Sequence, residues 1–339
     1  MKRSMTILAA VLALSLPAVG FVASGHKLAT ELAVTAAAKH LPAFFFPGRA
    51  TIIQASVDPD YQRDPTMPQL RDGTYGEHYV DWDTLKSLGL PETRYQYLDL
   101  CAKKGLKPRD LGLLPYAIAE ATQRLTLAFA EHRAWPNDTH IQEKCLLYAG
   151  LLSHLAEDAC QPLHTTAEFD GRRRRDGSLP RTGIHLEVDA VIAKLRPARG
   201  QDGLLIVPAD VGPNAHEKLM PAIFEQIRQS NALVPSVYGM EKSFMASPAT
   251  RPASEDAPAD QAGAVVMPED RPMPRDQRVQ AFARERLSAC ATFTASLYLT
   301  AWADSEKVKL PAWLVQARAD VDGPPASQPA TATAPAAKD

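Results

Sequence analysis

Apolar residues recurring at helical spacing constrain this chain more than any other feature. They recur at three- and four-residue intervals near 25–41, 92–104, 111–133, 139–160, 182–195, 214–232 and 276–307. Almost no segment alternates apolar and polar residues as a half-buried strand would. Within 111–133, Leu114, Ile118, Ala121, Leu125, Ala128 and Phe129 make one apolar stripe, with Glu120, Arg124 and Glu131 elsewhere on the wheel. Such stripes are buried by packing helix on helix, so the expected class is all-α. With 339 residues, 45% hydrophobic and 22% charged, the chain can bury a sizeable core. A single multi-helix domain is expected over 21–312.

Two stretches lack the pattern. Residues 247–277 are crowded with Pro, Ala, Asp and Glu and read as a disordered insertion between two helices. Residues 313–339 read as a flexible Pro/Ala/Thr-rich tail. At the other end, Lys2 and Arg3 precede an apolar run from Met5 to Val19 that reaches Ala18-Val19-Gly20, the small-x-small pattern of a signal peptide cleaved after Gly20. A retained anchor is the alternative, although the run is shorter than the roughly 20 residues a spanning helix needs. Residues 1–20 are therefore expected to direct export to the periplasm or the medium.

Cys101, Cys145, Cys160 and Cys290 include no C-x2-C pair, so a thiolate metal site is not indicated. Cys145 and Cys160 on one helix would stand about 22 Å apart, beyond a disulfide's reach. A Cys101–Cys290 bridge and four buried free thiols both remain open.

The chemistry concentrates in one region. His154 and Asp158 lie one turn apart on a helix, Pro162 ends that helix, and His164 follows where the chain can turn back. A second helix carries His185 and Asp189 at the same spacing. One such pair alone is usually a surface pair or a satisfied core histidine. Two of them, with an added histidine and apolar residues all around, concentrate ionisable groups whose burial is costly unless cations pair with them.

The pattern His154-x3-Asp158-x5-His164, followed by His185-x3-Asp189, resembles the trinuclear-zinc family that contains the single-strand-specific nucleases and the zinc-dependent phospholipases C; Gln161-Pro162-Leu163-His164 is similar to that family's wording as well. Upstream, Phe21 and His26 match the spacing of a metal-binding mature N-terminus and its histidine, with Phe where the family has Trp. Asp60-x2-Arg63 and His78-Tyr79-Val80-Asp81 resemble two further family elements, and Asp58 and Asp64 compete with Asp60 for its role. The resemblance implies the family's all-α fold and three Zn2+ ions. One would be held by Asp60, His78, His154 and Asp158, a second by His164, His185 and Asp189, and a third by Phe21, His26 and a shared Asp158. It also implies that Asp60 orients the attacking water, that Arg63 faces the attacked phosphate, and that Asp81 supports a ligand histidine. His40, His132, His140 and His216 fall outside the pattern.

The family cleaves either nucleic acid or phospholipid, and fold does not decide between them. Asp189 ends the pattern as the nuclease branch does, and Tyr75, Tyr79 and Trp82 either stack on bases or pack in the core. No amphipathic lipid-seeking segment stands out. A net charge of −2 gives no global attraction to polyanions, so a local site must hold them. The run Arg172–Arg175 reads either as a solvated loop or as a guide for such a substrate. The expectation is a monomeric zinc-dependent nuclease acting on single-stranded DNA or RNA, with no protein partner. A zinc-dependent phospholipase C and a non-catalytic exported zinc-binding protein are the alternatives.

Overall fold

The computed structural model describes residues 22–245 and 267–322. Helices follow one another as α1 (Ala23–Ala37), α2 (Arg49–Ala55), α3 (Asp58–Tyr61), α4 (Pro68–Thr74), α5 (Trp82–Leu85), α6 (Arg94–Lys104) and α7 (Pro108–Leu111). They continue as α8 (Leu114–Ala134), α9 (Thr139–Cys160), α10 (Ile184–Ala190), α11 (Leu219–Asn231), α12 (Val234–Gly239), α13 (Glu241–Met245), α14 (Gln277–Asp304) and α15 (Ala312–Asp322). Among the described residues only two isolated bridges, Val80 to Gly112 and Arg199 to Leu205, have strand character. The chain is all-α, as its periodicity requires.

The two longest helices start where a side chain satisfies free N–H groups. Asp138 accepts from the backbone N–H groups of His140 and Ile141 at the head of α9, and Asp276 accepts from that of Arg278 at the head of α14. Helix α9 stops at Cys160, and Pro162 to Thr165 form a 3-10 turn.

Helices α1, α8, α9 and α14 pack on one another and carry most of the core. Tyr97, Tyr116, Tyr298, Phe45, Phe129 and Phe244 are the largest fully buried side chains among the described residues. Burying each contributes about 1.5–3 kcal/mol of apolar transfer, so these helices are fixed before any ligand is considered. Helix α2 lies against α9 where Gly150 leaves no side chain: a Cβ there would stand 2.5 Å from Ala55 Cβ and 2.6 Å from Ile52 O. That close approach sets α3, which follows at once, over the His154 face of α9.

Two expectations about order need correction. The tail expected from 313 contains α15, because 312–322 is not Pro-rich and carries groups to anchor. Val315 packs against the core, and Arg318 bonds Asp138 and covers the Trp135 ring. Within the expected insertion, residues 267–277 are ordered: Pro268 is buried, and Arg271 pairs with Glu187 on α10. Residues 246–266 and 323–339 lie outside the described residues, as do the expected leader and Phe21.

All four cysteines are buried and free, so the Cys101–Cys290 bridge is not formed. Cys290 Sγ lies 3.9 Å from Glu157 O and contacts the Cys160 thiol at the end of α9, while Cys101 contacts Tyr97.

Candidate metal centre

Six segments deliver ionisable side chains to one end of the α1/α8/α9/α14 core. Helix α9 presents His154 and Asp158 one turn apart, and the turn after Pro162 brings His164 back beside them. His26 comes from α1, Asp60 from α3, His78 from the 3-10 turn at Tyr75–His78, and His185 and Asp189 from α10. His26, His154, Asp158 and Asp189 are completely buried, and only Asp60 and His185 retain about a tenth of their exposure, at 10% and 12%.

Asp158 is the centre. Its Oδ2 lies 3.0 Å from His78 Nδ1 and 3.4 Å from His154 Nε2, and its Oδ1 lies 3.4 Å from His164 Nδ1 and 3.7 Å from His26 Nε2. Three groups of donor atoms result, each within 4.8 Å internally: His26, His154 and Asp158; Asp60, His78 and His154; and His164, His185 and Asp189. In the last, His185 Nε2 and His164 Nε2 stand 3.0 and 3.6 Å from Asp189 Oδ2. Asp60 therefore joins a group, whereas Asp64 bonds Thr66 on an exposed turn.

Outer partners fix the rings. His154 Nδ1 donates to Ser56 O at 2.8 Å and His164 Nδ1 donates to His78 O at 2.7 Å; a carbonyl only accepts, so both rings turn their Nε2 atoms toward the cluster. Gln161 Nε2 donates to Asp189 Oδ1 at 2.9 Å. His26 Nδ1 meets Glu157 Oε2 at 2.7 Å, and Thr30 donates to Glu157 Oε1 at 2.8 Å. Rings held in this way by a carbonyl or carboxylate are the usual surroundings of metal-ligating histidine.

The electrostatics show how tightly these groups depend on each other. Burial alone would raise Asp158, but His164 and His154 hold its carboxyl well below the ordinary range. Burial would likewise lower His164, yet Asp158 and Asp189 push it up to about 9. Burial, reinforced by His154, depresses His26, and burial lowers His78 to about 4. Even so, Asp60 Oδ2, Asp158 Oδ1, His164 Nε2 and Asp189 Oδ2 are buried and find no hydrogen-bond partner among the described residues. Polar atoms left bare inside a protein cost about 1–3 kcal/mol each. A set of imidazole nitrogens and carboxylate oxygens, all turned to common points, fits divalent metal ions.

Arg63 pairs with Asp60 and stands at the open edge of the cluster, in a cleft of about 280 Å³ lined also by Val57, Tyr61, Asp64 and Pro65. No protein-family model matches this chain, and no curated protein matches it.

Other expected residues have different duties. Asp81 caps α5, bonding Thr84 N–H and Oγ1, and does not support a ligand histidine. Trp82 packs on Phe224, Tyr79 donates to Arg109 O, and Tyr75 meets Tyr79 edge-on, and all three stay partly exposed. His132 packs between Phe44 and Trp302, His216 faces Phe293, His40 and His140 are exposed, and none of the four joins a group. The residue that sequence reading missed is Glu157. Its signal was present: an acidic residue inside the apolar run of α9, on the side of the helix that faces α1.

Proposed function

We propose that this chain is an exported zinc-dependent phosphodiester hydrolase acting on single-stranded nucleic acid. The observation that supports it best is the convergence of His26, Asp60, His78, His154, Asp158, His164, His185 and Asp189 on three adjoining groups, with Arg63 at their open edge. Three zinc ions would use these groups, the third completed by the amine and carbonyl of Phe21 after cleavage behind Gly20.

Zinc, if bound there, would supply a Lewis acid for phosphate oxygens and would lower the pKa of water toward neutrality. The chain's residues account for the rest. Asp60, with one oxygen on Arg63 and the other bare, is placed to accept a proton from an attacking water and orient it. The Arg63 guanidinium has a planar fork that matches two phosphate oxygens, and its charge offsets what accumulates on them during displacement. Asp158 holds four imidazoles in register. The apolar packing of α1, α9 and α14 behind them excludes water, which strengthens each of these interactions.

A second reading, phospholipid cleavage, draws on Tyr61, which lines the same cleft and is 64% exposed, and on Met67, 57% exposed, whose N–H bonds Asp64 O of that cleft. The deciding assay compares release of acid-soluble nucleotides from single-stranded DNA and RNA with release of phosphorylated headgroups from phospholipid vesicles, using one zinc-loaded preparation. Nucleotide release supports the proposal; headgroup release alone overturns it in favour of the second reading.

A further inference from the structure

The loop between the 3-10 turn and α10 holds Arg172, Arg173, Arg174, Arg175 and Arg181, against Asp176 as its one acid within 171–183. All five arginines are exposed, and none forms an ion pair among the described residues. Asp176 is occupied by Ser178, and Asp170, at the base of the loop, accepts from His185 N–H and, through its carbonyl, from Thr182. Five like charges kept together against a single acid repel one another and raise the local concentration of anions.

The loop is also fixed relative to the metal centre. Its base is tied to the first turn of α10 by the Asp170–His185 bond at 3.2 Å, and Gly171 N–H donates to Tyr238 Oη at 2.9 Å. Arg174 N–H and Ser178 O close the loop on itself at 2.8 Å. The Arg181 guanidinium lies 4.2 Å from the Phe169 ring, Phe169 meets His185 edge-on at 5.5 Å, and His185 stacks on His164 at 4.9 Å. Arg172 similarly covers Tyr238 at 4.9 Å. Stacking fixes these two guanidiniums by their faces and leaves their N–H edges for other partners.

The positive loop thus borders the His164, His185 and Asp189 group, while Arg63 borders the Asp60 group at the other end of the cluster. The two solvent-touching ligands, Asp60 and His185, lie at those same ends. A substrate with one phosphate has no use for both.

We infer that the 171–183 loop binds the phosphate backbone of single-stranded nucleic acid beyond the phosphate held at the metal centre. The inference rests on the phosphodiesterase reading and deepens it: this surface selects an extended polyanion over a lone headgroup phosphate.

The test measures affinity of the zinc-loaded protein for a fluorescein-labelled single-stranded oligothymidylate with hydrolysis-resistant phosphorothioate links, over a range of salt. The comparison is a variant carrying R172Q, R173Q, R174Q and R175Q together. With about 0.7 counterions released per single-strand phosphate contact, four lost contacts lower the slope of log affinity against log salt by about 3. The variant's deficit is then about 50-fold larger at 50 mM than at 200 mM salt. Lysine at the same four positions restores the slope.

An unchanged slope overturns the inference. So does loss of binding to phosphatidylserine vesicles with oligonucleotide binding intact, which would make the loop a membrane contact. Hydrolysis of bis(p-nitrophenyl) phosphate by both proteins keeps the two proposals separable. It stays constant in the arginine variant if the loop acts only on the polymer, and its absence from both proteins counts against the phosphodiesterase reading while the salt slope still judges the loop.

Discussion

Replacing Glu157 by alanine separates the roles of the buried carboxylates. Glu157 receives His26 Nδ1 at 2.7 Å and Thr30 Oγ1 at 2.8 Å, and all three residues are fully buried. Truncation leaves both groups without that acceptor, at about 1–3 kcal/mol each. Burial holds the Glu157 carboxyl well above its ordinary range, so relief of its own desolvation offsets part of the loss. The net cost is then about 2 kcal/mol in the metal-free protein, read by chemical denaturation. For metal, losing the group that orients a ligand histidine lowers affinity about 10–100-fold. Only the His26 group should respond, since in the His164, His185 and Asp189 group His164 is oriented by His78 O and Asp189 by Gln161, neither of which touches Glu157. Competition against a chromogenic chelator should therefore show one zinc weakened and the others unchanged. Glu157→Gln, whose amide oxygen still accepts from His26, should recover most of both effects. If Glu157→Ala binds every ion as tightly as the parent, or loses all of them together, the orienting role is wrong.

Further outcomes follow from the same geometry. Arg63→Ala should lower turnover about 10²–10³-fold with zinc content intact; loss of metal instead would make Arg63 a structural partner of Asp60. Gly150→Ala should destabilise the fold by about 1–3 kcal/mol, because the added methyl meets Ala55 and Ile52 O on α2, and unchanged denaturation would refute that close contact. In the metal-free protein the raised His164 keeps its proton until about pH 9, whereas zinc needs the neutral ring. Apparent zinc affinity should accordingly keep rising with pH toward 9, with proton release visible in calorimetry across buffers of different ionisation enthalpy. Levelling at the ordinary imidazole range, near 6.5, would contradict it.

How much of this was legible beforehand depended on how local the determining physics is. The long helices α1, α6, α8, α9, α11 and α14 were readable because each buries a stripe set by its own sequence. The short helices α3, α5 and α7 were not, since a few residues fixed by caps and neighbours carry no period. Composition misled at 313–322, where adjoining Pro and Ala masked a segment held by Arg318 and Val315. His154, Asp158, His164, His185 and Asp189 were visible as i, i+4 pairs and a Pro-directed turn. Asp60 was distinguished from Asp58 and Asp64 only when α2 and α3 placed it against His154. The duty expected of Asp81 falls to Glu157 for the same reason: which carboxylate supports a candidate ligand histidine depends on contacts between α1 and α9, more than a hundred residues apart. The position of Cys290 beside Cys160 is equally a product of α9 packing on α14.

The central claim is that Asp158 organises a metal cluster that hydrolyses phosphodiesters. Zinc content by mass spectrometry and nucleotide release from single-stranded DNA, measured on the same preparations of the parent protein and Asp158→Asn, test it most directly. The account predicts zinc and hydrolysis in the parent and loss of both in the variant. Full zinc content with undiminished hydrolysis in Asp158→Asn, or a zinc-loaded parent that cleaves no phosphodiester, would contradict it.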